Sequence, residues 1–344
     1  MLVVRAITAD DLEALLDMAT QVGSGMTTLK PDRKMLGDRV SVAVQSFAQT
    51  IAPEKRDYMF VMEDTSNGRM AGVCAIKGAV GLDEPFYNYR IGTLVHSSRE
   101  LDVFTRMETL YLSNDLTGAT ELCSLFLHPD YRIGNNGKWL SKSRFLFIAQ
   151  FPHLFTEKLI AEMRGYQEED GRSPFYEGLG RHFFKMDFNH VDNLTALGKK
   201  SFIAELMPRQ PLYVDYLPDD AREVIGKVHT STAPARRLLE QEGMHYEGYV
   251  DIFDAGPVLQ ARVSELRAMR DSTVVTADAA MPHEAGEPTL VSNTTLHDFR
   301  MIVGSAAPVQ GKIALTADEL ALLHCQGGDQ VRTLSLNVRK NVHV

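Results

Sequence analysis

The sequence is poor in cysteine and lacks any long apolar run. Its three cysteines, Cys74, Cys123 and Cys325, are widely spaced and form no CxxC pair, which argues against a disulfide framework and a cysteine-rich zinc site. No stretch approaches the roughly 18 consecutive apolar residues of a membrane span. The N-terminus lacks the charged and apolar regions of a signal peptide. We therefore expect reduced thiols, no membrane contact and a cytoplasmic location.

Positive charge is also in deficit. The chain has 36 Lys and Arg against 45 Asp and Glu, a net charge of −9. Nucleic-acid binding is disfavoured, because phosphate neutralisation needs a basic face. An anionic small ligand is still possible, because backbone amides and local basic clusters bind phosphate on acidic proteins.

The common signatures of metal and hydrolase sites are missing. There is no H-E-x-x-H spacing and no G-x-S-x-G element, so we predict no metal and no permanently bound cofactor. The 344 residues, with 44% hydrophobic and 24% charged, fit an ordinary globular protein of two or three domains.

The first part of the chain mixes strands and helices. Thr8 is a good N-cap for a first helix, and Asn67-Gly68 predicts a hairpin turn. The expected strands are residues 2–7, 58–63, 70–77, 86–96 and 120–127, and the expected helices begin at Thr8, at Asp32 (to Ala48) and at Lys138 (to Ile148).

The last part of the chain differs from the first in its predicted secondary structure. Val258 to Met269 is expected to be a short helix. Short runs then predict a small antiparallel β unit, with strands at residues 272–277, 289–292, 299–303, 312–315 and 330–338.

The strongest chemical signal lies at residues 121–138. An apolar strand stops at His128-Pro129, and Gly134 and Gly137 follow immediately before a helix. Glycines at a strand-to-helix turn let backbone N–H groups approach a diphosphate, and Arg132 and Lys138 could add charge. The spacing matches neither the Walker loop nor the dinucleotide fingerprint. A glycine turn with no ligand is the alternative.

Proton-transfer candidates are fewer. His229 lies in a loop before a helix capped by Thr232, where a neutral-range pKa suits acid–base chemistry, although a lone histidine is more often structural. Glu121 opens the motif strand, and we favour an ordinary surface carboxylate there. His182 and His190 are expected to be structural or surface residues. The loop from Gly23 to Thr28 is our choice for the acceptor side.

These segments resemble known N-acyltransferases. The strand, the Pro-x-Tyr-Arg turn at Pro129 to Arg132, the glycines and the helix resemble the acyl-CoA motif of the GNAT superfamily. The variant Tyr-Arg-x-Gly-x-x-Gly-Lys at residues 131–138 is similar to the arginine/ornithine N-succinyltransferase family. Residues 23–29, 175–184 and 225–235 also resemble that family, so the likeness spans nearly the whole chain.

The resemblance implies roles that the residues alone do not supply. It implies succinyl-CoA and L-arginine as substrates, and N2-succinyl-L-arginine and CoA as products, in the first step of arginine catabolism by the succinyl pathway. It implies that His229 is the proton donor and that Leu125 contacts succinyl-CoA. Arg132, Gly134, Gly137 and Lys138 would complete the CoA site.

We therefore expect an α+β fold with a mixed sheet and a GNAT-like core. The predicted division is a GNAT-like acyl-CoA-binding domain at 1–195, a second GNAT-like segment carrying His229 at 196–255 and a small β-rich domain at 256–344. An ornithine-preferring enzyme and a non-catalytic acyl-CoA-binding or regulatory protein are the alternatives, and a homo-oligomer is possible.

Overall fold

One mixed sheet organises the chain. The computed structural model describes residues 1–22, 26–196, 198, 200–282 and 286–338. Within this part of the chain, fifteen strands join in the order β14-β11-β15-β12-β13-β1-β2-β3-β6-β7-β10-β9-β4-β5-β8. The strands are β1 Leu2–Ala6, β2 Asp57–Asp64, β3 Arg69–Lys77, β4 Asn88–Ser98, β5 Val103–Ser113, β6 Thr120–Leu127, β7 Lys158–Glu162, β8 Leu212–Tyr213, β9 His245–Asp251, β10 Pro257–Arg262, β11 Thr273–Asp278, β12 Thr289–Ser292, β13 Arg300–Gly304, β14 Lys312–Ala314 and β15 Gln330–Ser335.

Ten α-helices surround this sheet in the described residues. They are α1 Leu12–Thr20, α2 Arg33–Phe47, α3 Asn136–Gln150, α4 Arg181–Phe184, α5 Phe188–Ala196, α6 Ser201–Leu206, α7 Asp219–Glu223, α8 Ala233–Gln241, α9 Arg267–Asp271 and α10 Ala317–Leu323. No helix among the described residues is long and apolar enough to cross a bilayer.

The central strands are covered on both faces. Along β2, Tyr58 and Phe60 pack in the core that contains the apolar residues of α3. Met59 and Val61 pack in the core formed with α1 and α2. Alternate residues of a strand point to opposite faces, so a strand buried on both sides has the continuous apolar sequence seen here.

Most of the early expectations are confirmed. Asp32 caps α2 by accepting a hydrogen bond from the Met35 backbone N–H at 2.8 Å, and α3 starts two residues before the predicted Lys138. The mixed α+β class is confirmed. The C-terminal strands are present and extend the same sheet through the β1–β13 pair, and β11 and β14 are parallel rather than antiparallel.

One predicted helix was wrong, and several strands were missed. Val258 to Met269 is not one helix, because its first half is β10, Val263–Glu265 is a 3₁₀ turn, and α-helix begins only at Arg267. Strand β10 pairs with β9, which is near in the sequence, and with β7, which is distant. The pairing with β7 leaves no signal in the local sequence. The strands β5, β7 and β9 were not predicted. The three-part domain division stays a prediction.

A buried charge cluster fastens α3 to the end of α8. The side chains of Lys142 and Glu242 are fully buried and hydrogen-bonded, and Arg267 Nη2 donates to Glu242 Oε1 at 3.0 Å. Burial lowers the pKa of Lys142, and the charge of Glu242 opposes that shift. The carboxylate thus compensates two buried cations.

We expect Glu242→Gln to lower the free energy of unfolding by about 3–5 kcal/mol, because it leaves buried charge uncompensated. Glu240→Gln is the matched control on the same helix, since Glu240 makes a partly exposed pair with Arg236. It should change stability by less than about 0.5 kcal/mol. Urea unfolding measures both, and equal losses would contradict the assignment.

Candidate active site

The site begins where two parallel strands separate. Strands β6 and β7 are joined by only two residue pairs, Thr120 with Leu159 and Glu121 with Ile160. No residue of β7 pairs with residues 122–127 of β6 among those described. Since the strands run in the same direction, the gap between them opens at their carboxyl ends, where α/β proteins commonly bind ligands.

A β-bulge at Ser124 lies beside this gap. The β3–β6 register places Ala75 opposite Cys123 and Val73 opposite Phe126, so β6 carries one extra residue. Ser124 has φ = 55°, a left-handed conformation that is strained for a non-glycine residue. Bulges redirect the backbone next to functional sites, and this one lies immediately before Leu125.

Two arginines hold the bulge, Arg144, which is buried, and Arg39, which is mostly buried. On one side Arg39 Nη1 donates to Ser124 Oγ at 2.7 Å, and Arg39 Nε pairs with Asp57 Oδ2 at 2.7 Å. On the other side Arg144 Nη1 donates to the Cys123 carbonyl oxygen at 3.5 Å. Burial alone would lower the pKa of Arg39, but the charge of Asp57 and the hydrogen bond to it outweigh burial and raise that pKa.

The glycine turn after β6 presents free backbone donors. Among the described residues, the backbone N–H groups of Gly137 and Lys138, in the first turn of α3, donate to no acceptor. Gly134 has φ = 55°, and a Cβ built there would meet nothing within 4 Å. The N-terminus of a 15-residue helix with open space before it suits an anion.

The predicted basic residues beside this turn, Arg132 and Lys138, both form hydrogen bonds within the protein. Arg132 is exposed, its Nε donates to the Leu127 carbonyl oxygen at 3.0 Å, and its guanidinium lies 5.5 Å from the Phe126 ring centroid. Lys138 Nζ donates to Asn337 Oδ1 at 2.7 Å. Leu125 is partly exposed on β6. The predicted CoA residues therefore lie on one continuous stretch.

His229 lies at the same edge of the sheet, beyond β7. Its backbone N–H donates to the Arg164 carbonyl oxygen at 2.8 Å, next to the Gly165–Val228 bridge. Since β6 and β7 are parallel, the glycine turn follows the carboxyl end of β6, and Arg164, which holds His229, follows the carboxyl end of β7. The topology thus brings together two features that lie about 90 residues apart in the sequence.

The hydrogen bonds of His229 define its tautomer. Nδ1 accepts from the Ser231 backbone N–H at 3.1 Å, so the proton of the neutral ring is on Nε2. Nε2 has no partner among the described residues. Partial burial, and then the charge of Arg164, lowers the pKa of His229. The ring is a neutral donor whose Nε2–H is available to a substrate.

Glu121 is buried, although a surface carboxylate was expected. It is only 8% exposed. Burial raises its pKa, and the charges of Lys77 and Arg39 oppose that shift. A charged residue inside an apolar strand is the signal that could have revealed the burial of Glu121.

His182 and His190 are exposed, as expected. The predicted acceptor loop lies partly outside the described residues, at Gly23 to Gly25.

Comparisons with known proteins agree over the whole chain. The family model described as "Arginine N-succinyltransferase beta subunit" matches residues 2–268, and that for its C-terminal domain matches residues 270–335. A relative from Escherichia coli (strain 55989 / EAEC), named arginine N-succinyltransferase, is 45% identical over 98% of both chains. A relative from Pseudomonas aeruginosa, named arginine N-succinyltransferase subunit beta, is 48% identical over 98% of this chain and 99% of its own.

A solved structure gives the same answer for the fold. It is arginine/ornithine succinyltransferase subunit AI from Pseudomonas aeruginosa, with a TM-score of 0.89 and 34% identity over 98% of this chain and 99% of the other. The class defined by these matches is that of the acyltransferases. The chain belongs to the arginine N-succinyltransferase family.

The strain at Ser124 can be tested with a matched pair of substitutions. Ser124→Gly and Ser124→Ala both remove the hydroxyl that Arg39 contacts, so they differ only in backbone preference. In an ordinary strand, glycine is less stable than alanine by about 0.5–1 kcal/mol. At the positive φ of Ser124, the two variants should be equally stable, or the glycine variant should be the more stable. Urea unfolding that shows the ordinary order would contradict the bulge.

Proposed function

We propose that this chain transfers the succinyl group of succinyl-CoA to the α-amine of L-arginine, giving N2-succinyl-L-arginine and CoA. The observation that carries the proposal is the match, at 45% identity over 98% of both chains, to a relative named arginine N-succinyltransferase. The gap between β6 and β7 also supports it, because the start of α3 lies at one side of that gap and His229 at the other.

The CoA diphosphate would bind at the start of α3. The free N–H groups of Gly137 and Lys138 would donate to it, Gly134 would leave room for it, and Arg132 and Lys138 would supply positive charge. The pantetheine arm would then enter the gap between β6 and β7. This places the thioester beside Leu125, whose backbone N–H would polarise the carbonyl group.

The reaction needs one net proton movement. The neutral α-amine attacks the thioester carbon, the C–N bond forms, and negative charge develops on the carbonyl oxygen. Collapse of this intermediate breaks the C–S bond. The attacking nitrogen loses a proton and the sulfur gains one. His229 would act as the proton donor, with Nε2–H directed at the departing sulfur.

The proposal predicts a specific pattern of thiol release. Succinyl-CoA and acetyl-CoA are each combined with L-arginine and L-ornithine, and free CoA is measured over time. The fastest release is expected from succinyl-CoA with arginine. No release above the hydrolysis background for that pair would overturn the proposed function.

His229→Ala should reduce kcat by about 10²–10⁴-fold, because it removes a positioned proton donor. The affinity for CoA, measured by calorimetry, should stay unchanged, since the proposed diphosphate contacts are made by the start of α3 and not by His229. His182→Ala is the control, because His182 is exposed on α4. If the His229 variant keeps the wild-type kcat, the donor role is wrong.

A further inference from the structure

The gap between β6 and β7 continues into a group of carboxylates on one face of the sheet. Glu121 is paired with Ile160 across β6 and β7, and Glu162 lies two residues further along β7 on the same face. Asn88 of β4 reaches the group, since its Nδ2 donates to Glu162 Oε1 at 2.7 Å. The charges of Lys77 and Arg39 oppose the burial that raises the pKa of Glu121, whereas the neighbouring charges that raise the pKa of Glu162 are those of other carboxylates.

Two buried amides beside these carboxylates lack partners. Asn88 is 1% exposed, and its Oδ1 has no hydrogen-bond partner among the described residues. Gln260 is 2% exposed and is paired with Ile160 on the same face, and neither Nε2 nor Oε1 has a partner in the described part of the chain. A buried unpaired amide is costly, so these groups point to a missing ligand.

Acceptors outnumber donors in this group. The buried unpaired atoms are the amide oxygens of Asn88 and Gln260 and one donor, Gln260 Nε2, and they lie beside the carboxylates of Glu121 and Glu162. Burial, and then the charge of Asp251, raises the pKa of Glu162. A cation with several N–H donors would satisfy both the charge and the hydrogen bonds, and a guanidinium has five donors in a planar fork.

A ligand can reach this group from the gap. Glu162 and Cys123 are partly exposed, and each lies two residues beyond the last β6–β7 pair, Glu121 with Ile160. Leu125 follows Cys123 by two residues. Two strand residues span about 6–7 Å, roughly the reach of an extended arginine side chain. An acceptor whose α-amine meets the thioester at Leu125 would therefore have its guanidinium near Glu162.

We propose that Glu162, held by Asn88 and flanked by Glu121 and Gln260, binds the guanidinium group of the acceptor amino acid and selects for it. This assignment rests on the proposed function. Glu162 is then a binding residue for the far end of the acceptor, while His229 acts at the reacting end.

The test compares a charged acceptor with a neutral one of the same length. Glu162→Gln keeps an oxygen for Asn88 and removes the negative charge. Glu157→Gln is the matched control, because Glu157 precedes the same strand and is exposed in a pair with Arg262. The acceptors are L-arginine and L-citrulline, in which an uncharged urea group replaces the guanidinium.

For Glu162→Gln, kcat/KM for arginine should fall by about 10- to 100-fold, mainly through KM, because a charged hydrogen bond is lost. The value for citrulline should change by less than about threefold, and Glu157→Gln should match the wild type with both acceptors. An equal fall in kcat for both acceptors would assign Glu162 to proton transfer and overturn the inference, as would an unchanged preference for arginine.

Gln260→Met provides a second variant in case Glu162→Gln folds poorly. It replaces an unpaired buried amide with an apolar chain of similar size, so the free protein should gain thermal stability while KM for arginine rises. Higher stability with an unchanged KM would count against the site. A wild-type protein that releases no CoA with arginine would instead refute the proposed function and leave this site without a substrate.

Discussion

The site depends on one constraint, the β-bulge at Ser124 between two arginines. Arg39, neutralised by Asp57, bonds the serine hydroxyl from one face, while Arg144 bonds the preceding carbonyl from the other. The bulge occurs where β6 loses its pairing with β7. A regular strand would keep its backbone groups in the ladder, whereas this segment has groups free to face a ligand.

The parallel pair β6–β7 turns this local distortion into a site. One strand leads into the glycine turn and the start of α3, and the other leads to His229. Helix α8 follows His229, and its end is fastened to α3 by the buried pairs of Glu242 with Lys142 and Arg267. Helices α3 and α8, on the two sides of the gap between β6 and β7, are therefore connected by buried ion pairs as well as by the sheet.

The sequence allowed prediction of features that are local. The glycine turn, the helix after it, the Asp32 cap and the Asn67-Gly68 hairpin each follow from adjacent residues. The roles of Leu125 and His229 came from family resemblance. Arg39, Glu162 and Asn88 were missed because their partners are distant: Arg39 meets a serine 85 positions away, and Asn88 meets a glutamate 74 positions away. Burial of Glu121 could have been predicted locally, because this charged residue lies inside an apolar strand.

The central claim is that the gap beside the bulge, with the start of α3, is the acyl-CoA cleft. A crystal structure with CoA bound tests it most directly. The account predicts diphosphate oxygens within about 3.2 Å of the backbone nitrogens of Gly137 and Lys138, with the pantetheine arm between β6 and β7 and the thiol beside Leu125. CoA bound elsewhere, with β6 and β7 closed against each other, would contradict it.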